Sequence, residues 1–170
     1  KHNFKDELTT EELKSLIDQA IDMGIKTIYF TGGEALLRED LFELIDYAAR
    51  DNIITTFNTN GILISEPIAQ RIINSKLRSL TFSIDSPKEE IHDALRGKGV
   101  FRKAMQAIAW INEYKKNTGR PDLVMCSVIM RQNMNDLDGL VELAEKNGFC
   151  YLALQPVVDN SGLWQQPQEW

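Results

Sequence analysis

The sequence Lys26-Thr-Ile-Tyr-Phe-Thr-Gly-Gly-Glu34 combines a short apolar run, a pair of glycines and a carboxylate. The run from Lys26 to Phe30 contains β-branched and aromatic residues and ends at a glycine pair, which is typical of a buried strand. Before it, the stretch Thr9 to Glu12 has the spacing of a helix capping box, and Gly24 closes the apolar stripe that follows. The pattern therefore predicts a helix followed by a strand.

This helix–strand unit recurs along the chain. Strands are predicted to start at residues 26, 53, 79, 123 and 150, with spacings of 27, 26, 44 and 27 residues. The longest step contains an insertion from Asp85 to Gly99. Strands that alternate with helices at this spacing favour right-handed βαβ crossovers and an α/β fold with one parallel sheet.

Polar residues alternate with apolar ones toward the carboxyl ends of three predicted strands. Residues near strand ends are often simply wetter, but the repetition in three strands favours a ligand-lined lumen. The polar faces consist of Thr27, Tyr29 and Thr31; Thr56, Asn58 and Asn60; and Thr81, Ser83 and Asp85.

Composition excludes several classes of function. The chain has 170 residues and a net charge of −6. Binding to nucleic acid or to an anionic membrane surface requires a basic protein surface, so neither is expected. No apolar run approaches the ~20 residues of a membrane span. The two cysteines, Cys126 and Cys150, lie in apolar runs and are predicted to be core thiols, which favours the cytoplasm. His2 and His92 are predicted to be surface histidines.

Each motif at a strand end has a structural and a functional interpretation. The Gly32-Gly33 pair fits a tight turn or a backbone that approaches a ligand closely. Asn60 fits a turn before Gly61 or a substrate contact. Asp85 fits a cap ahead of Pro87 or a ligand contact. No nucleophile–base pair and no phosphate loop is present in the sequence.

Four motifs in order carry a resemblance to a known family. They are Ile28-Tyr-Phe-Thr-Gly-Gly-Glu-Ala-Leu-Leu-Arg-Glu-Asp-Leu41, Asn58-Thr-Asn-Gly61, Leu80-Thr-Phe-Ser-Ile-Asp-Ser86 and His92-Asp-Ala-Leu-Arg-Gly97. The chain resembles the radical S-adenosylmethionine (radical SAM) superfamily, and is similar to the branch with the molybdenum-cofactor enzyme and the peptide-modifying SPASM proteins. The resemblance extends from residue 9 to about residue 157.

The resemblance implies a partial (β/α)6 TIM barrel and an oxidoreductase-type activity. Family enzymes bind S-adenosylmethionine (SAM) at a [4Fe-4S] cluster and cleave it reductively to a 5′-deoxyadenosyl radical that abstracts a substrate hydrogen. The implied partners are a small-molecule or peptide substrate and a reductant protein such as a flavodoxin or ferredoxin.

The same resemblance assigns roles by motif position. The methionine amino group of SAM would be held by Gly32, Gly33 and Glu34. Ser83 and Asp85 would face the cofactor, and Arg96 would pair with the methionine carboxylate. Asn60 is the candidate substrate contact. A carboxylate for the ammonium and a guanidinium for the carboxylate suit a zwitterion.

The sequence departs from the family pattern at two points. Ala35 stands where the family has proline, and the three-cysteine loop that ligates the cluster is absent. We therefore expect barrel strands two to six in residues 1–157, without the first strand, and a loop or the start of an extension in residues 158–170. The open edge of the strand 26–30 would then favour self-association.

Three interpretations remain open at this point. The chain is either a fragment of a longer radical SAM enzyme, inactive by itself, or a cluster-less barrel remnant that binds a cofactor or partner. The third interpretation is an α/β barrel with unrelated chemistry. The substrate is not predicted.

Overall fold

A computed structural model describes residues 7–157, which form a five-stranded parallel sheet. The strands lie in the order in which they occur in the chain, each hydrogen bonded to the next. This confirms the predicted α/β fold and each predicted strand start to within one residue. The strands are β1 (Thr27–Phe30), β2 (Ile54–Thr59), β3 (Ser79–Ser83), β4 (Asp122–Ile129) and β5 (Tyr151–Pro156).

Within residues 7–157, six α-helices alternate with these strands, two of them between β3 and β4. Thr9 and Glu12 form the predicted capping box ahead of the first helix, with the Glu12 carboxylate accepting from the Thr9 N–H at 2.8 Å. Pro67 lies in the first turn of the third helix, where its fixed φ suits the helix and its missing N–H leaves no helical hydrogen bond unmade. The helices are α1 (Thr10–Asp22), α2 (Leu41–Ala48), α3 (Glu66–Asn74), α4 (Glu89–Arg96), α5 (Val100–Tyr114) and α6 (Leu137–Lys146). The predicted insertion from Asp85 to Gly99 thus contains a helix of its own.

The two faces of the sheet differ in polarity. Phe57, Leu80 and Leu123 are register neighbours on one face and are fully buried in the core under the helices. On the opposite face, residues such as Asn58, Ser83 and Cys126 are only half-buried. The second face is therefore the concave, lumen-side surface of a partial barrel, and its polar positions are those that the alternation predicted.

The described sheet ends at β1 on one side and at β5 on the other. Across residues 7–157, β1 pairs only with β2, so its outer edge has no strand partner there. None of the helices within this range is both long and apolar enough to cross a membrane. The loop predicted for residues 158–170 and the surface position predicted for His2 lie outside the described residues.

Three predicted environments are wrong. His92 is completely buried rather than exposed, because α4 turns this side chain toward the body of the protein. Cys150 is exposed because it precedes the edge strand β5, and Cys126 is half-buried on the lumen face. Neither cysteine is thus a fully buried core thiol.

Candidate functional site

Glu34 joins the carboxyl ends of β1 and β2. Its Oε2 accepts hydrogen bonds from the Thr59 hydroxyl at 3.0 Å and the Asn60 N–H at 3.1 Å. Its Oε1 accepts from the Leu36 N–H at 3.3 Å, which caps a single 3₁₀ turn from Ala35 to Leu37. The carboxylate is therefore held at a fixed position at the sheet end while remaining half-buried.

Gly32 and Gly33 leave the backbone before Glu34 uncovered. Both residues are exposed, and a Cβ built on either glycine meets no atom within 4 Å. Gly32 also has a φ of +145°, a conformation that side-chain-bearing residues rarely adopt. The Gly32–Glu34 segment can thus offer backbone groups and a carboxylate to a ligand.

Asn60 and Gly61 form the turn after β2. The Asn60 Oδ1 accepts from the Ile62 N–H at 2.9 Å, so this oxygen stabilises the turn. Gly61 has a φ of +80°, and a Cβ there would lie 2.9 Å from the Ala104 Cα in α5. The turn interpretation of Asn60 is therefore supported by geometry, and its role as a substrate contact stays a prediction.

Ser83 ends β3 on the lumen face, beside its register partner Cys126. It is half-buried, and its hydroxyl makes no hydrogen bond with any residue from 7 to 157. Burial raises the pKa of the Cys126 thiol, while the nearby Arg96 guanidinium lowers it. Ser83, Cys126 and Arg96 thus lie in one neighbourhood at the carboxyl end of the sheet.

Asp85 and Arg96 form a two-point ion pair. The Arg96 Nε lies 2.5 Å from the Asp85 Oδ2, and the Arg96 Nη2 donates to Oδ1 at 3.0 Å. Asp85 is 2% exposed, whereas the Arg96 side chain keeps 25% exposure. The Asp85 carboxylate is therefore occupied by the protein itself, and the guanidinium is the member of the pair that a ligand can reach.

The His92-to-Gly97 motif is explained by the contacts of three polar side chains. The His92 Nδ1 accepts from the Asp85 N–H at 3.2 Å, and Arg96 pairs with the same aspartate. Asp93 accepts from the Gly99 N–H at 2.5 Å and the Phe101 N–H at 2.9 Å, and these bonds hold the pKa of its carboxyl below the ordinary value. The motif thus fixes α4 against the end of β3.

A second group of polar residues lies in the loop between β4 and α6, and no sequence pattern indicated it. Asn133 is fully buried and donates from Nδ2 to the carbonyls of Asp85 and Val128, at 2.7 and 2.8 Å. Asp136 accepts from the Ser86 hydroxyl at 3.0 Å and from the Lys88 ammonium at 2.5 Å. Asn133 and Asp85 are 48 positions apart in the chain, too far for a local sequence pattern to indicate their contact, although Asn133 does follow the fourth predicted strand.

A groove of about 1020 Å³ lies beside β1. It is bounded by β1, the Gly32–Glu34 segment and the start of α1. Arg38 links the segment before α1 to the segment before α2. Its Nη2 donates to the Leu8 carbonyl at 3.0 Å and to the Asp40 carboxylate at 2.8 Å. The glycine segment therefore faces open space on the unpaired side of the sheet.

The family model that describes the radical SAM superfamily matches residues 1–144. The chain belongs to the radical SAM superfamily. Its curated relatives include the mycofactocin maturase MftC of Mycolicibacterium smegmatis, 34% identical over 142 residues, or 84% of this chain and 35% of the relative. The AdoMet-dependent heme synthase of Nitratidesulfovibrio vulgaris is 33% identical over 150 residues, or 85% of this chain and 38% of the relative. This radical SAM chain thus spans little more than a third of these proteins.

Solved structures agree on the fold. Streptococcus suis SuiB bound to S-adenosylmethionine superposes with a TM-score of 0.78 at 18% identity, covering 92% of this chain and 35% of SuiB. The structure of anSMEcpe with bound AdoMet and a Kp18Cys peptide gives a TM-score of 0.74 at 21% identity, covering 96% of this chain and 46% of that protein. The partial TIM barrel expected for a radical SAM protein is therefore the observed fold.

The two groups that the superfamily implies fit this chain differently. SAM fits, because the exposed side of Arg96 and the uncovered Gly32–Glu34 segment have the donors and acceptors that a methionine zwitterion requires. A [4Fe-4S] cluster needs several cysteine thiolates, whereas the whole sequence contains two cysteines. Cys126 and Cys150 are 24 positions apart and differ in exposure, so these residues do not form a cluster site.

Proposed function

We propose that this chain is the SAM-binding barrel section of a longer radical SAM enzyme. The observation that carries the proposal is the geometry of Arg96. An arginine side chain has five N–H donors. Asp85 receives two of them, so three remain on a guanidinium that solvent can reach. These remaining donors suit the methionine carboxylate of SAM.

The opposite charge of the methionine zwitterion is met at the neighbouring strand ends. Glu34 and the backbone of Gly32 and Gly33 accept the methionine ammonium in this proposal, and the Ser83 hydroxyl contacts the cofactor between the two charged groups. Adjacent strands lie about 4.8 Å apart, so a long arginine beside β3 and a carboxylate held at β2 can meet the two ends of one amino acid. Bound SAM supplies the hydrogen-abstracting radical chemistry that the superfamily is known for.

The proposed substrate is a peptide. Relatives of this chain are named maturases, another is named a PqqA peptide cyclase, and neighbouring structures hold the peptides SuiA and Kp18Cys. The concave face of the sheet and Asn60 at its rim are the surface proposed to receive it. The heme synthase relatives make a tetrapyrrole the second substrate class to test.

The remaining partners are proposed from the chemistry of the site. We propose a flavodoxin-like or ferredoxin-like electron donor, because reductive cleavage of SAM needs one electron per turnover. We propose a cytoplasmic location, because its reducing conditions suit both this electron donor and the two free thiols. We also propose that residues 1–157 act as one barrel unit, and that the open edge of β1 mediates self-association when nothing covers it.

The test uses the full-length protein that contains this chain. After anaerobic cluster reconstitution, methionine release from SAM is measured with dithionite as the reductant. We expect release by the wild type and at least tenfold slower release by Arg96→Ala at subsaturating SAM. Arg102→Ala is the control, because that arginine is 79% exposed and pairs with Glu89 at the surface. A full-length protein that takes up no [4Fe-4S] cluster on reconstitution and releases no methionine would support the cluster-less remnant instead.

A further inference from the structure

Asp85 is fixed in place at its backbone N–H, its carbonyl and its carboxylate. The His92 Nδ1 accepts its N–H, the Asn133 Nδ2 donates to its carbonyl, and the Val128 N–H donates to its Oδ1 at 2.9 Å. The partners come from α4, from β4 and from the loop that follows β4. Asp85 is therefore held independently of Arg96, the residue that its carboxylate orients.

His92 places a polar imidazole ring at a completely buried position. The ring is fully buried and packs edge-on against Phe101, with the ring centroids 5.5 Å apart. Its Nδ1 accepts a hydrogen bond and carries no proton, so the neutral ring carries its proton on Nε2. That Nε2 has no hydrogen-bond partner in the described part of the chain. A leucine would fill this space without an unpaired polar atom, so the Nδ1 acceptor is what the imidazole supplies and an apolar side chain does not.

Asn133 complements His92 from the other side. Its Nδ2 bridges the carbonyls of Asp85 and Val128, and its Oδ1 accepts from the Met130 N–H at 2.8 Å. All three bonds are made by one fully buried side chain, which joins the ends of β3 and β4. A side chain placed in this way restricts the movement of the Asp85 backbone.

We infer that His92 and Asn133 are positioning residues for SAM, and that they act through Asp85 to aim the free N–H donors of Arg96 at the methionine carboxylate. The inference rests on the proposed function of Arg96. Releasing either contact lets the Asp85 backbone shift, and the guanidinium then follows its carboxylate. Small displacements of a binding group weaken ligand binding, because both the distance and the angle of its hydrogen bonds become less favourable.

The experiment measures SAM affinity by calorimetry on the full-length protein. We expect His92→Leu to weaken SAM binding at least tenfold, because it removes the acceptor for the Asp85 N–H. His92→Asn is the rescue variant, since its Oδ1 can accept in place of Nδ1, and we expect its affinity within threefold of the wild type. Asn133→Asp removes the Nδ2 donor group at constant size and is expected to weaken binding at least tenfold. This second variant tests the inference even where His92→Leu fails to fold.

A stability control separates positioning from general loosening of the core. Ile111 is fully buried in α5, one turn before the helix ends at Tyr114 near the amino end of the sheet. We expect Ile111→Ala to lower Tm while leaving SAM affinity unchanged at a temperature where all variants are folded. The inference is overturned if His92→Leu and Asn133→Asp bind SAM as Ile111→Ala does, or if His92→Asn is as weak as His92→Leu.

The proposed function fails by a different result. If Arg96→Ala binds SAM as tightly as the wild type, Arg96 does not hold the carboxylate, whatever the His92 variants do. If Arg96→Ala weakens binding and the His92 and Asn133 variants do not, the proposed function stands and the positioning role alone is excluded.

Discussion

At the scale of single residues, Glu34 has two tasks that can be separated. It accepts hydrogen bonds from Thr59 and Asn60, and it supplies the negative charge proposed for the SAM ammonium. Glu34→Gln retains one carbonyl oxygen as an acceptor and removes the charge. We expect SAM affinity to fall at least tenfold, while the free energy of unfolding falls by less than about 1.5 kcal/mol.

Calorimetry and urea unfolding of the same preparations check this expectation. Glu43→Gln is the matched control, because Glu43 lies on α2 and pairs with Lys14 away from the strand ends. Unchanged SAM affinity in Glu34→Gln would remove Glu34 from the proposed binding site.

His92 makes stability depend on pH. Burial lowers the pKa of the His92 imidazole from its ordinary 6.5, with Arg96 acting in the same direction and Asp85 and Asp93 opposing it. Below pH 6.5 the unfolded chain therefore binds a proton that the folded chain does not, and the free energy of unfolding falls as the pH is lowered. The slope is at most about 1.4 kcal/mol per pH unit and ends at the folded-state pKa. Above pH 6.5 the effect is absent.

Urea unfolding between pH 5 and pH 7.5 measures this slope. The carboxyls of Glu12, Asp40, Asp93 and Asp136 also have lowered pKa values, but their ordinary values are 4.5 for Glu12 and 3.8 for the aspartates, so they contribute at lower pH. We expect a flatter profile for His92→Leu across the same range. Equal slopes in the variant and the wild type would show that His92 is not the group responsible.

At the scale of elements, the turn after β2 depends on the close approach of α5. A Cβ on Gly61 would lie 2.9 Å from the Ala104 backbone, and Gly61 has a φ of +80°. Gly24 after α1 has a similar φ of +86°, and a Cβ there meets nothing within 4 Å. We expect Gly24→Ala to lower the free energy of unfolding by about 1–2 kcal/mol, from backbone strain alone. Gly61→Ala should lower it by roughly 1–3 kcal/mol more, because the added Cβ overpacks against α5. If urea unfolding shows the same loss of free energy for both variants, α5 moves aside to accommodate the added Cβ, and the prediction is wrong.

The strands and helices were predictable because their signals are local. The capping box at Thr9 and the alternation in β2 and β3 lie within single elements, and the structure has these elements where they were expected. The faces of the sheet followed from the same alternation, since strand side chains have a period of two.

The partners within the site were less predictable because they are distant in the chain. His92 is flanked by Glu90 and Asp93, which suggested a solvated segment, yet α4 places the histidine on its inner side. Asp85 was expected to face the cofactor, but its carboxylate is paired with Arg96 and the Val128 N–H. Asn133 was missed because nothing near it in the sequence indicates a bond to Asp85.

At the scale of the whole molecule, the outer edge of β1 is the surface that we propose for self-association of the isolated chain. Tyr29 is 47% exposed on this strand, and unpaired backbone groups at an apolar edge favour pairing with another chain. We expect sedimentation velocity to show concentration-dependent self-association of the wild-type chain. Tyr29→Lys should shift the chain toward the monomer, because a charged side chain opposes edge pairing.

Tyr151→Lys tests which edge is involved. Tyr151 begins β5 at the other side of the sheet and is also exposed, so this variant should associate as the wild type does. A wild-type chain that stays monomeric at all concentrations would contradict the prediction, as would a monomer produced by Tyr151→Lys alone.

We propose that the carboxyl end of this sheet binds SAM through Arg96. Isothermal titration of SAM into the reconstituted full-length protein, with Arg96→Ala and Arg102→Ala compared side by side, tests it most directly. The claim predicts that Arg96→Ala weakens binding by at least tenfold, about 1.4 kcal/mol or more, because a charged partner of the zwitterion is lost. Arg102→Ala should bind as the wild type does. Equal SAM affinity for Arg96→Ala and the wild type would contradict the claim.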